Sequence, residues 1–389
     1  MAQPPGFADI DHPQLVCKLH KSLYGLKQAP RAWNDRFTSF LPTLGFKSTF
    51  SDSSLFVKNA SAGIIVLLVY VDDIIITGSD SCGIGDVIKS LTAEFDVKDL
   101  GRLHYFLGIQ ITYNSAGLIL SQSRYIHELL LKTDMLAAKA CATPCLPYQR
   151  LIKDDGDIFD KPTLYRSIVG ALQYLIFTRP DIAFSVHQVC QFMQQPRVEH
   201  FIAVKRILRY LKGTMDVGMT YAKSSLDITA YSDADWAGDP NDRRSTTGMV
   251  IFLGVNPVSW TSKKQHTVSR SSTEAEYRAL STTSAELDWI QQLLVFLGIS
   301  QSQPPVLYCD NLSAIALSFN PIQHQRTKHI EIDVHFVRER VAKDQLIVQF
   351  VSSKEQFADI LTKGLGSPLF LVHFRNLQLG FFKPDIVGG

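Results

Sequence analysis

Six acidic residues stand where their type and spacing could hold metal ions. Two are adjacent. Tyr70-Val71-Asp72-Asp73 lies between the β-branched runs Ile64 to Tyr70 and Ile74 to Thr77, which predicts two strands joined by a tight turn bearing Asp72 and Asp73 at its tip. An ordinary polar hairpin would use Asn-Gly or Asp-Gly, and neither is present. The other four fall further along, at expected strand ends and helix starts: Asp233, Glu276, Asp310 and Asp359. Singly, Asp310 could cap a helix, Asp359 could favour a helix N-terminus, and Asp233 could sit in a turn. Gathered, they make a cage of hard oxygen ligands. Such cages hold paired Mg²⁺ ions about 3.5 to 4 Å apart, one activating water and the other stabilising the leaving oxygen of a phosphodiester. The joint reading is preferred, because like charges are not otherwise collected.

The elements that must position these residues follow from local pattern. From Leu226, strands are expected at Ile228 to Tyr231, Met249 to Leu253 and Val258 to Trp260, then a long helix from about Thr273 to Leu297. Ser271 and Glu274 have the spacing of a capping box at its start. A strand at Val306 to Cys309 follows, then helices from Asn311 and through Val334 to Val341, a strand at Leu346 to Val351, and a last helix from Gln356. The predicted order is βββαβααβα. Before it, Ser123 to Gly213 reads as mostly helical, with Tyr125, Ile126, Leu129 and Leu130, and later Phe201, Val204, Ile207, Leu208 and Leu211, at helical spacing. Lys205, Arg206, Arg209 and Lys212 lie off the second stripe, as either a solvated or a phosphate-binding face.

Composition bounds the answer. At roughly 150 residues per domain, 389 residues predict two or three domains. With 46% hydrophobic and 20% charged residues the chain can fill full-sized cores, which excludes a disordered or fibrous class. The 39 basic and 37 acidic residues leave a net charge of +2, so a nucleic-acid partner must be held by local patches. The longest apolar run, Ile64 to Val69, is far short of the roughly 20 residues of a membrane helix. Six scattered cysteines support neither a disulfide framework nor a zinc finger. The start lacks a secretory pattern, so a reducing, cytoplasmic setting is expected.

Four stretches, AYSDADWAGD from Ala230, SSTEAEYRAL from Ser271, YCDNLSAI from Tyr308 and EQFADILTK from Glu355, resemble the ribonuclease H domain of copia-type retrotransposon polyproteins. The resemblance gives Asp233, Glu276, Asp310 and Asp359 the places of that family's metal-binding carboxylates. Glu274 is left to capping, and Asp235 to a supporting place beside the cage. Tyr70-Val71-Asp72-Asp73 resembles the catalytic turn of reverse transcriptases, where the pair helps position Mg²⁺. KSLYGLKQAPRAW from Lys21 resembles the template and incoming-nucleotide segment of copia-type polymerases, and DLGRLHYFLGIQI from Asp99 the region leading to the primer grip. Gly25 would there allow close backbone approach, while Lys27, Gln28 and Arg31 would meet template or nucleotide. YRSIVGALQYLIFTRPDIAFSV from Tyr165 and HFIAVKRILRYLKGT from His200 continue the resemblance through the helical middle.

The resemblance implies a multidomain α/β and α+β fold. A partial reverse-transcriptase palm occupies 1–122, a helical thumb or connection 123–224, a ribonuclease H-like domain with a mixed sheet 225–366, and a C-terminal tail 367–389. It implies two Mg²⁺ ions, with Mn²⁺ as a substitute, and RNA–DNA hybrid, template RNA and primer as partners, with other products of the retroelement polyprotein alongside. Virus-like particles within the cytoplasm, with access to the nucleus, are the implied setting. Some of Arg243, Arg244, Lys263, Lys264 and Arg270 are expected to supply phosphate contacts, with a solvated face as the alternative; Arg326 and Lys328 could meet phosphates too, and His329 beside them is expected to pack. The family's QPPGF stretch begins here at Gln3, so the earlier strand with a third polymerase carboxylate is expected to be absent and DNA synthesis lost. The expected activity is Mg²⁺-dependent cleavage of the RNA strand in hybrids. A catalytically dead nucleic-acid-binding relic is the alternative, and a transposase-type nuclease ranks below both, because a glutamate would stand in place of Asp359.

Overall fold

The computed structural model describes residues 2–20, 25–49, 51–60, 62–319 and 330–382. They form two compact units, one of Met1–Gly101 with Gln292–Ile299 and one of Arg102–Gln291 with Ser300–Gly389. Among the described residues, no helix is long and apolar enough to cross a membrane.

In the first unit, helix α1 (Ala29–Phe40) carries Pro30 in its first turn, which the fixed φ of proline suits, and turns Trp33, Phe37 and Phe40 inward. Trp33 and Phe37 stack at 5.1 Å. Strands β1 (Lys47–Ser48), β2 (Leu55–Ala60), β3 (Gly63–Tyr70) and β4 (Asp73–Gly78) form an antiparallel sheet in that order. Helix α2 (Ser81–Glu94) covers it, capped by Asp80, which accepts from the Gly83 N–H at 2.9 Å. Alternation on β3 buries Ile65, Leu67 and Val69 on the α1/α2 side. Tyr70 pairs with Asp73, so the β3–β4 hairpin closes through Val71 and Asp72 alone. Val71 sits at φ 52°, a region a β-branched residue rarely enters, and the cost is about 1–3 kcal/mol. The turn thus keeps a strained backbone where a glycine would relieve it.

The second unit holds β5 (Tyr105–Phe106), β6 (Ile109–Asn114), β7 (Gly117–Ser121), α3 (Ser123–Lys132), α4 (Pro162–Leu175), α5 (Ala183–Cys190), α6 (Val198–Gly213) and β8 (Val217–Ala222). After these come β9 (Ile228–Asp235), β10 (Thr246–Leu253), β11 (Asn256–Lys264), α7 (Ser272–Phe296, whose end from Gln292 counts with the first unit), β12 (Val306–Cys309), α8 (Leu312–Phe319), α9 (Glu331–Ala342), β13 (Ile347–Phe350), α10 (Ser367–Asn376) and β14 (Leu379–Phe381). One sheet is antiparallel, in the order β14-β8-β7-β6-β5. The other has the order β11-β10-β9-β12-β13, antiparallel among its first three strands and parallel from β9 onward. It is the mixed sheet expected from the sequence.

Three expected boundaries are corrected. Strands β5–β7, assigned to the palm, join one sheet of the second unit with β8, a strand that follows the helical run inside the span 123–224 given to the thumb or connection. The break at Ser224-Ser225 does not separate two cores, because one buried cluster takes Leu172, Val204 and Leu208 from the helices together with Val250, Phe252 and Leu361 from beyond the break. Residues 367–382 are no tail: Phe370, Phe374, Leu377 and Leu379 enter that same core, and β14 pairs with β8. A fully buried Arg179 grips Asp181 with two hydrogen bonds, at 2.9 and 2.7 Å, and the Thr214 carbonyl at 2.9 Å.

Candidate active site

Four elements of the second unit bring the four dispersed carboxylates together. Asp233 lies on β9, the central strand, opposite Gly248 on β10. Glu276 lies in the first turns of α7, where Ala275 and Ala279 pack on Ala234; side chains this small let the helix approach the strand closely. Asp310 directly follows β12, and its Oδ2 accepts from Ser353 Oγ at 2.8 Å. Asp359 sits in a single 3₁₀ turn, Phe357–Leu361, where a last α-helix was expected.

That 3₁₀ turn is held by side chains distant in sequence. Phe357 stacks on Tyr231 at 4.3 Å, and Tyr231 in turn stacks on Tyr308 of β12 at 4.9 Å. Gln356, fully buried, accepts from the Ala358 N–H at 3.3 Å and donates to the Ser232 carbonyl at 3.0 Å. Thr362 donates its hydroxyl to Asp233 Oδ2. The turn needs Gly248 beneath it, because a Cβ there would stand 2.6 Å from Thr362 Cγ2 and 2.9 Å from Leu361 Cβ. Gln356 and Thr362 were not singled out from the sequence; their only local signal is that they flank the Asp359 turn.

The cluster is dry and strongly negative. Asp233, Asp359 and Glu276 are 3%, 4% and 6% exposed. Burial, and then the charges of Asp233 and Asp310, push the Glu276 carboxyl far above the usual range, against a hydrogen bond from the Ala234 N–H. Burial and Asp233 likewise raise Asp359, against the opposing pull of Lys363. Lys363 was not singled out either, yet its Nζ lies 2.8 Å from Asp359 Oδ1 and 3.6 Å from Asp233 Oδ2. Burial acts to lower the Lys363 pKa, but Asp233 and Asp359 outweigh it and hold the ammonium charged.

Two features fit a divalent cation. Glu276 Oε2 is buried with no hydrogen-bond partner, an arrangement that is costly unless a ligand satisfies it. Ligand atoms of Glu276, Cys309 and Asp310 lie within 4.8 Å of one another. The donor set is mostly carboxylate oxygen, which suits Mg²⁺ or Mn²⁺.

Around the cage, Glu274 does cap α7: its N–H donates to Ser271 Oγ at 3.2 Å, and its carboxylate accepts from the Arg270 N–H at 2.8 Å. Asp235 accepts from the Thr246 N–H and pairs with Arg150 at 3.4 Å; burial pushes its carboxyl up to about 6. Arg243, Arg244, Lys263 and Arg270 are exposed. Lys264 departs from that group. Its ammonium bonds Asp239, Asp242 at 2.9 Å and Gln191 at 2.9 Å, so it is tied into the fold and not free to meet phosphate. Arg206 and Arg209 similarly bond the Thr143 hydroxyl and the Lys139 carbonyl. Arg326, Lys328 and His329 lie outside the described residues.

In the first unit, Asp72 and Asp73 are exposed at the hairpin. Gly25 takes φ +89°, open to glycine at little cost, and leads into Lys27, Gln28 and Arg31 at the start of α1. Lys27 and Arg31 are exposed, and Arg31 makes only a loose pair with Asp35 at 3.9 Å.

A family model described as reverse transcriptase (RNA-dependent DNA polymerase) matches residues 1–147. The chain is 52% identical over 371 residues to the retrovirus-related Pol polyprotein from transposon RE1 of Arabidopsis thaliana, covering 95% of this chain and 25% of that protein. It is 35% identical over 289 residues to a putative transposon Ty5-1 protein of Saccharomyces cerevisiae, covering 73% of this chain and 94% of that one. Among solved structures, a foamy viral protease-reverse transcriptase in complex with RNA/DNA hybrid is similar at a TM-score of 0.46 and 11% identity, over 85% of this chain and 39% of that one. The chain belongs to the copia-type retrotransposon Pol polyprotein family. It spans about a quarter of the length of the transposon RE1 polyprotein.

Proposed function

We propose that the second unit cleaves the RNA strand of RNA–DNA hybrids at the centre formed by Asp233, Glu276, Asp310 and Asp359. The observation that carries this reading is the gathering of these carboxylates, three of them buried and Asp310 partly so, with Glu276 Oε2 left unpartnered among them. Mg²⁺, or Mn²⁺ in its place, would supply an activated water and charge neutralisation at the phosphodiester. The chain's own part is to fix the ligands. The Gln356 and Thr362 hydrogen bonds hold Asp359 and Asp233 in register, and Ser353 orients Asp310. Exposed Arg243, Arg244, Lys263 and Arg270 would meet the phosphates, and contacts to 2′-hydroxyls would distinguish the RNA strand.

In the first unit, Asp72 and Asp73, with Gly25, Lys27, Gln28 and Arg31, would engage template, primer and incoming nucleotide in the manner of a polymerase palm. An RNA–DNA hybrid is the partner common to both roles. The test is selectivity: end-labelled RNA annealed to DNA should be cut in Mg²⁺, while the same RNA annealed to RNA, and the matching DNA duplex, should survive. Equal cutting of all three would remove the hybrid-specific reading.

A further inference from the structure

We propose that Glu276, Cys309 and Asp310 form a site for a thiophilic divalent cation of the zinc or cadmium class, and that its occupation switches the nuclease centre off. The inhibitory half of this inference rests on the function proposed above, since Glu276 and Asp310 belong to both sites.

The starting point is a sulfur atom for which magnesium chemistry has no use. Cys309 ends β12, is fully buried, and is a free cysteine. Its Sγ stands with oxygen atoms of Glu276 and Asp310 in a group whose members all lie within 4.8 Å of one another. Mg²⁺ takes oxygen ligands and gains nothing from a thiolate, whereas Zn²⁺ and Cd²⁺ bind sulfur strongly. A tetrahedral ion with bonds of about 2.0 Å to oxygen and about 2.3 Å to sulfur spaces its ligand atoms at roughly 3.5 Å. Rotation of the three side chains by about an ångström would close the set on such an ion.

Glu276, whose buried oxygen lacks a partner, is the second indication that a cation binds beside the thiol. The residue is 6% exposed, its Oε2 has no hydrogen-bond partner, and the charges of Asp233 and Asp310 on it come ahead of the opposing Lys363. A cation at the thiol would satisfy that oxygen directly. The Asn311 N–H donates to Cys309 Sγ at 3.4 Å, a contact that would steady the sulfur as a ligand. Asp310, only partly buried, gives the ion a way in from solvent. Three protein ligands leave one tetrahedral position for water. Binding releases to solvent both the Cys309 thiol proton and the proton that burial keeps on the Glu276 carboxyl, as the metal–sulfur and metal–oxygen bonds form, with no change of oxidation state.

The experiment is a Cd²⁺ titration of the full chain, followed by the ultraviolet charge-transfer absorption of Cd–thiolate bonds. Wild type and Cys309→Ser are compared, with Glu276→Gln as a variant that keeps the thiol and loses the carboxylate. Wild type should show one more tight Cd–thiolate equivalent than Cys309→Ser, and Glu276→Gln should bind that equivalent at least about tenfold more weakly. The Zn²⁺ concentration that half-inhibits hybrid cleavage should rise by at least about tenfold in Cys309→Ser. Identical titrations for wild type and Cys309→Ser would overturn the site even if hybrid cleavage is robust. A Cys309-dependent equivalent in a protein that cuts no hybrid would uphold the site and overturn only the nuclease reading.

Discussion

Gln356→Met probes how the centre is held. The substitution nearly conserves volume, so it removes hydrogen bonds without opening a large cavity. In the folded chain Gln356 satisfies the Ser232 carbonyl at 3.0 Å and the Ala358 N–H at 3.3 Å, and all three residues are fully buried. Each backbone group left unpaired away from water costs about 1–3 kcal/mol, so the variant should lose about 2–6 kcal/mol. The damage should also reach function, because those two bonds fasten the 3₁₀ turn bearing Asp359 onto the strand bearing Asp233. A displacement of about 1 Å in a reacting group costs on the order of 10²-fold in rate. Urea unfolding would measure the first effect, and single-turnover cleavage of a saturating labelled hybrid the second. Hybrid affinity, read by anisotropy, should stay within about twofold, since the loss falls on transition-state positioning. A Met variant with wild-type stability and wild-type cleavage would refute the claim that Gln356 positions Asp359.

Three further outcomes are expected. Arg179→Met should cost about 3–5 kcal/mol in chemical unfolding, because it leaves the buried Asp181 without its counter-ion and with only the Tyr210 hydroxyl as partner, and a loss below about 1 kcal/mol would contradict the structural role given to the pair. His187 is held down to about 4, by burial first and then by Lys264, with Asp239 opposing. Its folded pKa therefore lies below the unfolded value of about 6.5, the unfolded chain binds the extra proton, and stability should fall as pH drops from about 6.5 to 4, by at most about 3 kcal/mol. His187→Gln should flatten that slope, and an unchanged slope would assign it to other groups. Lys363→Met removes the cation between Asp233 and Asp359 and should lower the melting temperature in EDTA, with Mg²⁺ restoring it; its 42% exposed side chain limits the effect to about 1 kcal/mol. Equal melting of wild type and variant in EDTA would show that the ammonium is dispensable there.

The mixed sheet was legible because each strand is a compact β-branched or aromatic run broken by acidic or small residues. Val306 to Cys309 is a strand over the expected span, and the helix from Ser272 starts within a residue of its expected place. The carboxylates could be picked out because they fall at the junctions of those runs. What stayed hidden was set by tertiary contact. The turn at Phe357–Leu361 looks helical in sequence, yet the stacking on Tyr231 and the Gln356 bonds keep it to 3₁₀ geometry. Leu379 to Phe381 is too short to announce a strand, and only pairing with β8 makes it one. Lys264 reads as one of a basic group, but Asp239 and Asp242 draw it inward. Lys363 follows Asp359 by four residues, and nothing in that spacing reveals that it also reaches Asp233.

The central claim is that the four gathered carboxylates are a working nuclease centre, and single-turnover cleavage of one labelled RNA–DNA hybrid in Mg²⁺, by wild type and by Asp233→Asn, tests it most directly. The asparagine keeps the shape of the side chain and removes its charge, so folding should survive, as melting would verify. Wild type should cut the hybrid, and the variant should lose at least about 10²-fold in rate. No cleavage by a folded wild-type chain, or equal cleavage by both, would contradict it.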